Sequence, residues 1–289
     1  MLLELKQVKK YFISRKGLLA KPSMPVRAVD GVDLVINQGE HLSIVGESGC
    51  GKTTLARIIL KLIDCDAGEI YFKEQSATRW KADQLKAYRK NVQMVFQDPY
   101  SSLDPRFTIR GVMREAMTLE QEKYQTADGE NERIIQLLRA VGLKADILNR
   151  YPHEFSGGER QRIAIARALV LNPALLVLDE AVSSLDVLIQ KQILDLLSDL
   201  KNQFELTYLF ISHNLKVVRK LSQRIAVMYK GRIVELAATE AIFNNPLHAY
   251  TKQLLSAALD YKAVEGNEII LPEGGQLVDQ GNNHFVMTD

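Results

Sequence analysis

The chain has 289 residues, of which 46% are hydrophobic and 25% charged, and this composition is typical of a globular protein rather than a disordered one. Lys and Arg number 37 against 35 Asp and Glu, so the net charge is +2, which is too small to indicate nucleic-acid binding by charge alone. Cys50 and Cys65 form no CxxC pair, which argues against a zinc site or a disulfide framework and favours a reducing compartment.

Partly alternating apolar and polar residues predict a half-buried strand over Leu3–Val8. Residues 13–27 are basic and rich in Gly and Pro, which predicts a loop. The basic residues near the N-terminus indicate a solvated edge, although proximity to anionic lipid or to nucleotide stays open. Further strands are predicted over Val32–Ile36 and His41–Val45, followed by a helix over Lys52–Ile63.

Beyond these elements, strands are predicted at 69–72 and 92–96, and residues 98–172 indicate a helical insert with stretches at 109–118, 131–141 and 158–171. Residues 121–131 are its most loop-like part. Alternating strands and helices then follow, which implies a mainly parallel sheet covered on both faces. Their predicted bounds are strand Leu175–Leu178, helix 187–204, strands 206–211 and 224–229 with a helix between them, and helix 247–259, before a polar, weakly patterned tail from about 262.

These elements predict a nucleotide-binding core made of 1–97 and 173–245, a helical subdomain at 98–172, and a C-terminal helix and tail at 246–289. No apolar run approaches the ~18 residues that span a bilayer. Any work at a membrane would therefore need a partner.

Residues Gly46–Thr53 fit the phosphate-loop pattern G-x-x-x-x-G-K-[ST] at every fixed position. Glycines let backbone amides turn towards phosphate oxygens, and the following helix points its positive end at the same anion. Lys52 would contact the β- and γ-phosphates, and Thr53 would offer a hydroxyl to Mg²⁺. The pattern predicts nucleotide binding.

The apolar run that begins at Leu175 ends in two carboxylates, Asp179 and Glu180. An Asp at such a strand end can hold Mg²⁺, directly or through water. The adjacent Glu180 can take a proton from an attacking water. Together with the phosphate loop, the pair predicts hydrolysis.

A second anion site is predicted at Ser156-Gly157-Gly158-Glu159, where a hydroxyl and close backbone amides precede a helix. One nucleotide needs only one phosphate loop, so this second site calls for an explanation. At this point the sequence resembles the ABC ATPases, whose signature motif matches the run from Ser156 to Gln161. The resemblance covers roughly residues 2–260.

The resemblance implies an α/β P-loop NTPase with a RecA-like core, an antiparallel β subdomain and an α-helical subdomain. In that family two ATPase domains meet head to tail, and each ATP lies between the phosphate loop of one and the signature of the other. The residues expected to bind ATP are Tyr11 (alternatively Phe12), Gly46, Ser48, Gly49, Cys50, Gly51, Lys52, Thr53, Thr54, Ser156, Gly157, Gly158, Glu159 and Asp186.

The same resemblance assigns the remaining chemistry. Gln97 resembles the Q-loop glutamine, Asp186 lies in the D-loop that crosses to the other subunit, and His213 resembles the switch histidine that contacts the γ-phosphate. The expected catalytic residues are Glu180, His213, Lys52 and Gln97, and the expected Mg²⁺ ligands are Thr53, Gln97 and Asp179.

The segments Asp98–Arg106 and Asn245–Thr251 are similar to the peptide and nickel importer branch, and the run Ser156–Leu169 to its second ATPase. This implies a heterodimer with a sister ATPase (a homodimer stays open), docked on two permease subunits at the cytoplasmic face of the inner (plasma) membrane. A solute-binding protein would act indirectly, and nucleic acid is not an expected partner. Peptides are the expected cargo.

Two departures from the family pattern remove no catalytic group. Ala181 follows the catalytic Glu where many members have Pro, and this run is similar to nickel importers, so a nickel or metal-chelate cargo is the alternative. Asn214 stands where an Asp is usual. Residues 262–289 contain no cysteine, so no iron–sulfur cluster is expected.

Three other classes of protein fit these residues less well. A soluble ABC ATPase acting on nucleic acid or ribosomes would usually carry two ATPase domains or a long coiled coil. A small-molecule kinase would have no use for the signature. A non-hydrolysing regulatory subunit would not need Glu180 and His213.

Overall fold

The computed structural model describes residues 1–13, 24–98, 102–120, 126–259, 269–272 and 274–288. The chain divides into two compact units, Met1–Trp80 with Phe210–Asp289, and Lys81–Leu209. Most of the predicted loop at 13–27 lies outside the described residues. So do residues 99–101 of the segment Asp98–Arg106 and the first part of the tail.

Strands and helices alternate along much of the chain. The strands are β1 (Leu3–Phe12), β2 (Val26–Ile36), β3 (His41–Val45), β4 (Ala67–Phe72), β5 (Gln75–Ser76), β6 (Val92–Val95), β7 (Leu175–Asp179), β8 (Thr207–Ile211), β9 (Arg224–Tyr229), β10 (Arg232–Ala238), β11 (Gln276–Asp279) and β12 (Phe285–Thr288). The helices are α1 (Lys52–Ile59), α2 (Ala82–Asn91), α3 (Ile109–Met117), α4 (Ala127–Ala140), α5 (Gly157–Leu169), α6 (Val187–Phe204), α7 (Leu215–Leu221), α8 (Thr239–Asn244) and α9 (Ala249–Leu259).

The first unit contains an antiparallel sheet in the strand order β2-β1-β4-β5. Leu5 of β1 pairs with Leu34 of β2 on one side and with Ile70 of β4 on the other. All three side chains are buried, because residues directly opposite each other on neighbouring strands point to the same face of the sheet. This sheet confirms the expected antiparallel β subdomain.

The first unit also contains a second run of paired strands, in the order β11-β12-β10-β9-β3. Strand β3 pairs in parallel with β9, and Val45 lies opposite Val227. Every residue of β3 is buried, as expected for a parallel strand covered on both faces. The loop that leads into α1 begins directly after β3, at the carboxyl end of that strand.

The second unit is built on the parallel pair β6 and β7, in which Val92 lies opposite Leu175 and Val95 opposite Leu178. Helix α5 packs against β6 and against α3, α4 and α6. Ile163 and Ile165 lie on different sides of α5 and are both fully buried, as expected for a helix that packs against several neighbours. These elements confirm the predicted α/β class and the helical character of this part of the chain.

Several predicted boundaries were wrong. Strand β1 runs to Phe12 rather than Val8, and β2 begins at Val26, inside the predicted loop, rather than at Val32. Two helix boundaries also differ, each for a local reason. Helix α1 ends at Ile59 rather than Ile63, because Lys61 adopts a left-handed φ of 54° and the Leu62 amide donates back to Arg57 O at 2.9 Å, which closes the helix. Residues 121–131 were expected to be loop-like, but α4 begins at Ala127. The Thr126 hydroxyl accepts a hydrogen bond from the Gly129 amide at 3.2 Å and so caps that helix.

The described end of the tail contains two strands that its composition did not predict. Strands β11 and β12 form an antiparallel hairpin, and Val286 of β12 lies opposite Glu235 of β10. Strand β10 was itself not predicted, although Lys230 and Gly231 both have positive φ and form the tight two-residue turn that joins β9 to β10. No helix in the described part of the chain has the length and apolar composition needed to cross a bilayer.

Candidate functional site

The phosphate loop leaves β3 at Gly46 and enters α1 at Lys52. Gly46 has a φ of 152°, and a Cβ placed on it would lie 2.2 Å from Met228 O. Gly51 has a φ of 115°, and a Cβ there would lie 2.0 Å from Ala28 O. Neither distance is compatible with any side chain, so packing against β2 and β9 requires glycine at both positions.

The Lys52 side chain reaches back across the loop to its first two residues. Its ammonium donates to Gly46 O and to Glu47 O, each at 2.8 Å, and the residue is only 6% exposed. Thr53, the next residue, is exposed at the first turn of α1, and Thr54 is partly exposed. Helix amides in the first turn have no intrahelical acceptors, so this end of α1 can accept an anion.

Cys50 lies inside the loop with its thiol buried, 3.6 Å from the Lys52 ammonium. Burial raises the pKa of the Cys50 thiol, and the nearby Lys52 charge offsets this effect only in part. A raised pKa means less thiolate at neutral pH, and the thiolate is the reactive form. Cys65, by contrast, is partly exposed.

We therefore expect N-ethylmaleimide at neutral pH to modify Cys65 before Cys50, as followed by peptide mass spectrometry over time. A Cys65→Ser variant serves as the control and should react only at the slow rate. Equal rates for the two cysteines would contradict the buried placement of Cys50.

Tyr11, the predicted adenine-stacking residue, is half-buried near the end of β1. Its hydroxyl donates to Asp30 Oδ1 at 2.5 Å, and this bond to a carboxylate raises the pKa of Tyr11. Arg232 binds the other Asp30 oxygen at 2.8 Å. The Tyr11 ring is thus held in place by its hydroxyl, whereas the alternative, Phe12, is 45% exposed.

The hairpin turn after β9 connects this pair to the phosphate loop. The Asp30 amide donates to Gly231 O, and the Gly231 amide donates to Cys50 O, both at 2.9 Å. Sequence reasoning missed Asp30, Arg232 and Gly231. The Lys230-Gly231 turn was the available signal for the last of them.

Sequence reasoning also missed a contact to the phosphate loop from the C-terminal part of the chain. The Glu47 amide donates to the hydroxyl of Tyr250, a residue of α9, at 2.9 Å. No sequence pattern indicates this contact, because the two residues are far apart along the chain.

His213 follows β8 in the first unit and is exposed. Ser212, just before it, donates its amide to Ile44 O of β3 at 3.3 Å, which places the end of β8 beside the end of β3. Asn214 caps α7, because its Oδ1 accepts hydrogen bonds from the amides of Lys216 and Val217. An Asp could cap the helix in the same way, so this departure from the family pattern leaves the local geometry unchanged.

In the second unit, β7 delivers Asp179 and Glu180 to the carboxyl end of the parallel pair. Asp179 is buried. Glu180 adopts a left-handed φ of 48°, and Ser183 holds the turn by donating its amide (3.0 Å) and its hydroxyl (2.9 Å) to Glu180 O. Such backbone conformations in non-glycine residues are costly and occur often at functional sites.

Gln97 follows β6 and Glu180 follows β7, and the pairing of these two strands brings the two side chains together. Gln97 Nε2 donates to Glu180 Oε2 at 2.7 Å. The bond orients the carboxylate and leaves the other end of the Gln97 amide, Oε1, as an oxygen that can face a cation.

The predicted signature forms the start of α5. Ser156 is the N-cap: its Oγ accepts from the Glu159 amide at 3.4 Å, and the Glu159 carboxylate accepts from the Ser156 amide at 2.9 Å. The bonds from Ser156 lower the pKa of Glu159. Gly157 and Gly158 supply the amides of the first turn, where anions bind.

The segment that ends at Asp186 packs against this turn, since a Cβ on Gly157 would lie 3.6 Å from Leu185 Cδ2. A Cβ on Gly158 would lie 2.6 Å from Ile189 Cγ2, so glycine is needed for the close approach of α5 and α6. Asp186 is exposed and caps α6 by accepting from the Ile189 amide at 3.0 Å. The second unit therefore presents an anion-accepting helix start next to an exposed carboxylate.

The predicted Mg²⁺ ligands fit that ion chemically. Thr53, Gln97 and Asp179 offer a hydroxyl, an amide oxygen and a carboxylate, and Mg²⁺ prefers oxygen ligands. Among the described residues there is no group of three or more His, Cys, Asp and Glu side chains able to hold a metal ion. Mg²⁺ that arrives with a nucleotide keeps waters and phosphate oxygens and needs only one or two protein carboxylates.

Comparison with known proteins gives consistent matches. The family model described as "ABC transporter" matches residues 29–183. The chain is 50% identical over 257 residues to the oligopeptide transport ATP-binding protein AppF of Bacillus subtilis, covering 89% of this chain and 78% of that protein. It is 45% identical over 250 residues to the dipeptide transport ATP-binding protein DppF of Haemophilus influenzae, covering 86% and 76%.

Among solved structures, a similar fold occurs in the ATP-binding cassette MJ0796, seen as a dimer in a post-hydrolysis state bound to ADP and Pi. The TM-score is 0.70 at 28% sequence identity, over 82% of this chain and 99% of that one. A second structure, CbiO1 of Clostridium perfringens, gives a TM-score of 0.73 at 22% identity over 90% of this chain and 96% of that one.

Proposed function

This chain belongs to the ABC transporter family as an ATP-binding subunit whose ATP hydrolysis is coupled to transport, and from that premise we propose that it powers the import of peptides. The relatives that it matches over most of their length are named for oligopeptide and dipeptide transport. The Ala181 run, similar to nickel importers, keeps a nickel or metal-chelate cargo as the alternative.

One observation carries the proposed mechanism: the chain has a complete phosphate loop and, in addition, a second anion-accepting helix start at Ser156–Gly158. Each site can accept phosphate oxygens. We infer that two ATPase subunits meet head to tail, so that the phosphate loop and Lys52 of one hold ATP and the signature and Asp186 of the other close over the γ-phosphate. The dimer formed by the cassette MJ0796 provides a precedent within the fold.

Within that composite site we assign the chemistry to named atoms. Glu180 accepts the proton of the attacking water, and the bond from Gln97 Nε2 keeps its carboxylate oriented. Lys52 and His213 stabilise the charge that develops on the transferred phosphoryl group. Bound Mg²⁺ would neutralise charge on the β- and γ-phosphates, with Thr53, Gln97 and Asp179 as its protein ligands.

The proposed assembly contains two permease subunits, a sister ATPase (or a second copy of this chain), and a solute-binding protein that acts indirectly. The chain would lie peripherally on the cytoplasmic face of the inner (plasma) membrane. Residues 98–172 would be the helical subdomain that contacts a permease, 1–97 with 173–245 the nucleotide core, and 246–289 a C-terminal addition.

The test is to purify the tagged chain from membranes of its native cell and to measure uptake of labelled peptide and of labelled nickel. Co-purification of permeases, together with loss of peptide uptake in a Glu180→Gln strain, is the expected result. Loss of nickel uptake instead would select the alternative cargo. Co-purification with ribosomes or nucleic acid and without permeases would reject transport.

A further inference from the structure

Helix α9 contacts the phosphate loop through the buried hydroxyl of Tyr250. The Tyr250 hydroxyl accepts a hydrogen bond from the Glu47 amide at 2.9 Å, and Tyr250 is 1% exposed. Its ring stacks on Tyr229 with centroids 4.1 Å apart. Burial raises the pKa of Tyr250, so the hydroxyl stays neutral at physiological pH. Glu47, the second residue of the loop, is therefore hydrogen-bonded to one member of a stacked tyrosine pair.

The start of α9 is fixed in turn by a buried carboxylate on β10. Glu235 is fully buried, and its two oxygens accept hydrogen bonds from the Leu247 amide at 2.9 Å and the His248 amide at 3.0 Å. A carboxylate at the amino end of a helix is also favoured by the helix dipole. Glu235 thereby sets where α9 begins and hence where Tyr250 lies.

The C-terminal hairpin holds that carboxylate. His284, in the turn before β12, contacts Glu235 Oε1 through Nε2 at 2.6 Å and is itself buried. Strand β12 pairs with β10 at this point, with Glu235 opposite Val286. Hydrogen bonds therefore join His284 to Glu235 and Glu235 to the residues before α9. His248 Nδ1 then accepts from the Tyr250 amide at 3.1 Å, and the Tyr250 hydroxyl reaches the phosphate loop.

We propose that Tyr250 is a positioning residue for ATP binding, and that the C-terminal hairpin supports it through His284 and Glu235. This inference rests on the proposed nucleotide site and adds a role for the segment after 246. By fixing the Glu47 peptide, Tyr250 limits the conformations of the loop before ATP arrives. The loop then loses less entropy on binding, which is the general benefit of preorganisation.

The first test replaces Tyr250 with Phe, which removes the hydroxyl and keeps the stacked ring. The matched control is Tyr208→Phe, because the Tyr208 hydroxyl is also buried and donates to a backbone carbonyl, Leu197 O, at 2.9 Å. We expect Tyr250→Phe to weaken ATP binding and to raise the KM for ATP about 3- to 10-fold, the scale of one hydrogen bond. The kcat should change less than twofold, and Tyr208→Phe should bind ATP as the unmodified chain does.

The second test concerns the hairpin and uses binding of ATP measured by calorimetry on the full chain. His284→Ala should weaken ATP binding about 2- to 5-fold, since it acts through two intermediates. His284→Gln keeps a hydrogen-bond donor for Glu235 and should restore the affinity. This rescue separates positioning from a general loss of stability, which thermal unfolding of both variants will report.

The outcomes are decisive in either direction. Lys52→Ala, measured in parallel, should lose ATP affinity. If it does and Tyr250→Phe binds ATP with unchanged affinity, the role of Tyr250 is overturned while the ATP site stands. Equal losses in His284→Ala and His284→Gln would overturn the role of the hairpin. If ATP does not bind the unmodified chain at all, the proposed nucleotide site fails together with the inference built on it.

Discussion

Replacing Glu180 with Gln is expected to lower ATP turnover by roughly 10²- to 10⁴-fold, the usual contribution of a general base, while ATP binding persists. The amide is the same size as the carboxylate but cannot accept the proton of the attacking water. Steady-state phosphate release measures the first effect, and equilibrium ATP binding measures the second. Since ATP would no longer be consumed, ATP-dependent association of two ATPase subunits should also accumulate and be visible by light scattering.

The matched control is Glu132→Gln, because Glu132 is exposed on α4 and lies outside the proposed site. It should hydrolyse ATP at the rate of the unmodified chain. Near-normal turnover in Glu180→Gln would reject Glu180 as the base. It would also leave the left-handed backbone of that residue and its bond from Gln97 without a catalytic explanation.

Replacing Lys52 with Ala is expected to weaken ATP binding about 10- to 150-fold, the scale of hydrogen bonds to a charged group, and to reduce turnover as well. The Lys52 ammonium lies buried across the loop, where it donates to Gly46 O and Glu47 O at 2.8 Å. When ATP binds, the same ammonium is placed to contact phosphate oxygens. Calorimetric titration with ATP is the measurement.

Lys61→Ala is the control for this variant. Lys61 is also buried, at 9% exposure, and donates to Thr78 O at 3.2 Å after the end of α1. Its removal should lower the melting temperature without changing ATP affinity. Equal ATP affinity in Lys52→Ala and the unmodified chain would contradict the phosphate-loop assignment.

Local patterns found the elements whose signal is continuous in sequence. The apolar runs in β3 and β7 are followed by Gly46 and by Asp179, so the carboxyl ends of both strands could be located. Helices α5 and α6 were predicted at 158–171 and 187–204, the second from apolar residues at helical spacing. The structure adds that Ser156 and Asp186 cap them. The phosphate loop and the two carboxylates came from residue patterns, whereas Tyr11, Gln97, Asp186 and His213 came from the resemblance to the ABC ATPases. The roles of all these residues toward ATP stay predictions until the variants are measured.

Short elements and loop ends could not be found in the same way. Strands β11 and β12 have four residues each, too few for an alternating pattern to stand out from a polar tail. The end of α1 depends on the left-handed conformation of Lys61, which a lysine seldom adopts and no sequence rule would assign to it.

The sequence by itself determined which chemical groups this protein carries and in which order: the phosphate loop, the glutamine, the signature turn, the two carboxylates and the histidine. Only the tertiary structure decided which distant residues hydrogen-bond to these groups and to the segments around them. Glu47 meets Tyr250 across 203 residues, and Asp30 meets Arg232 across 202. The physical reason is that spacing rules describe neighbours within one turn or strand, whereas these hydrogen bonds form only after strands distant in sequence have been brought together by burial of their apolar faces.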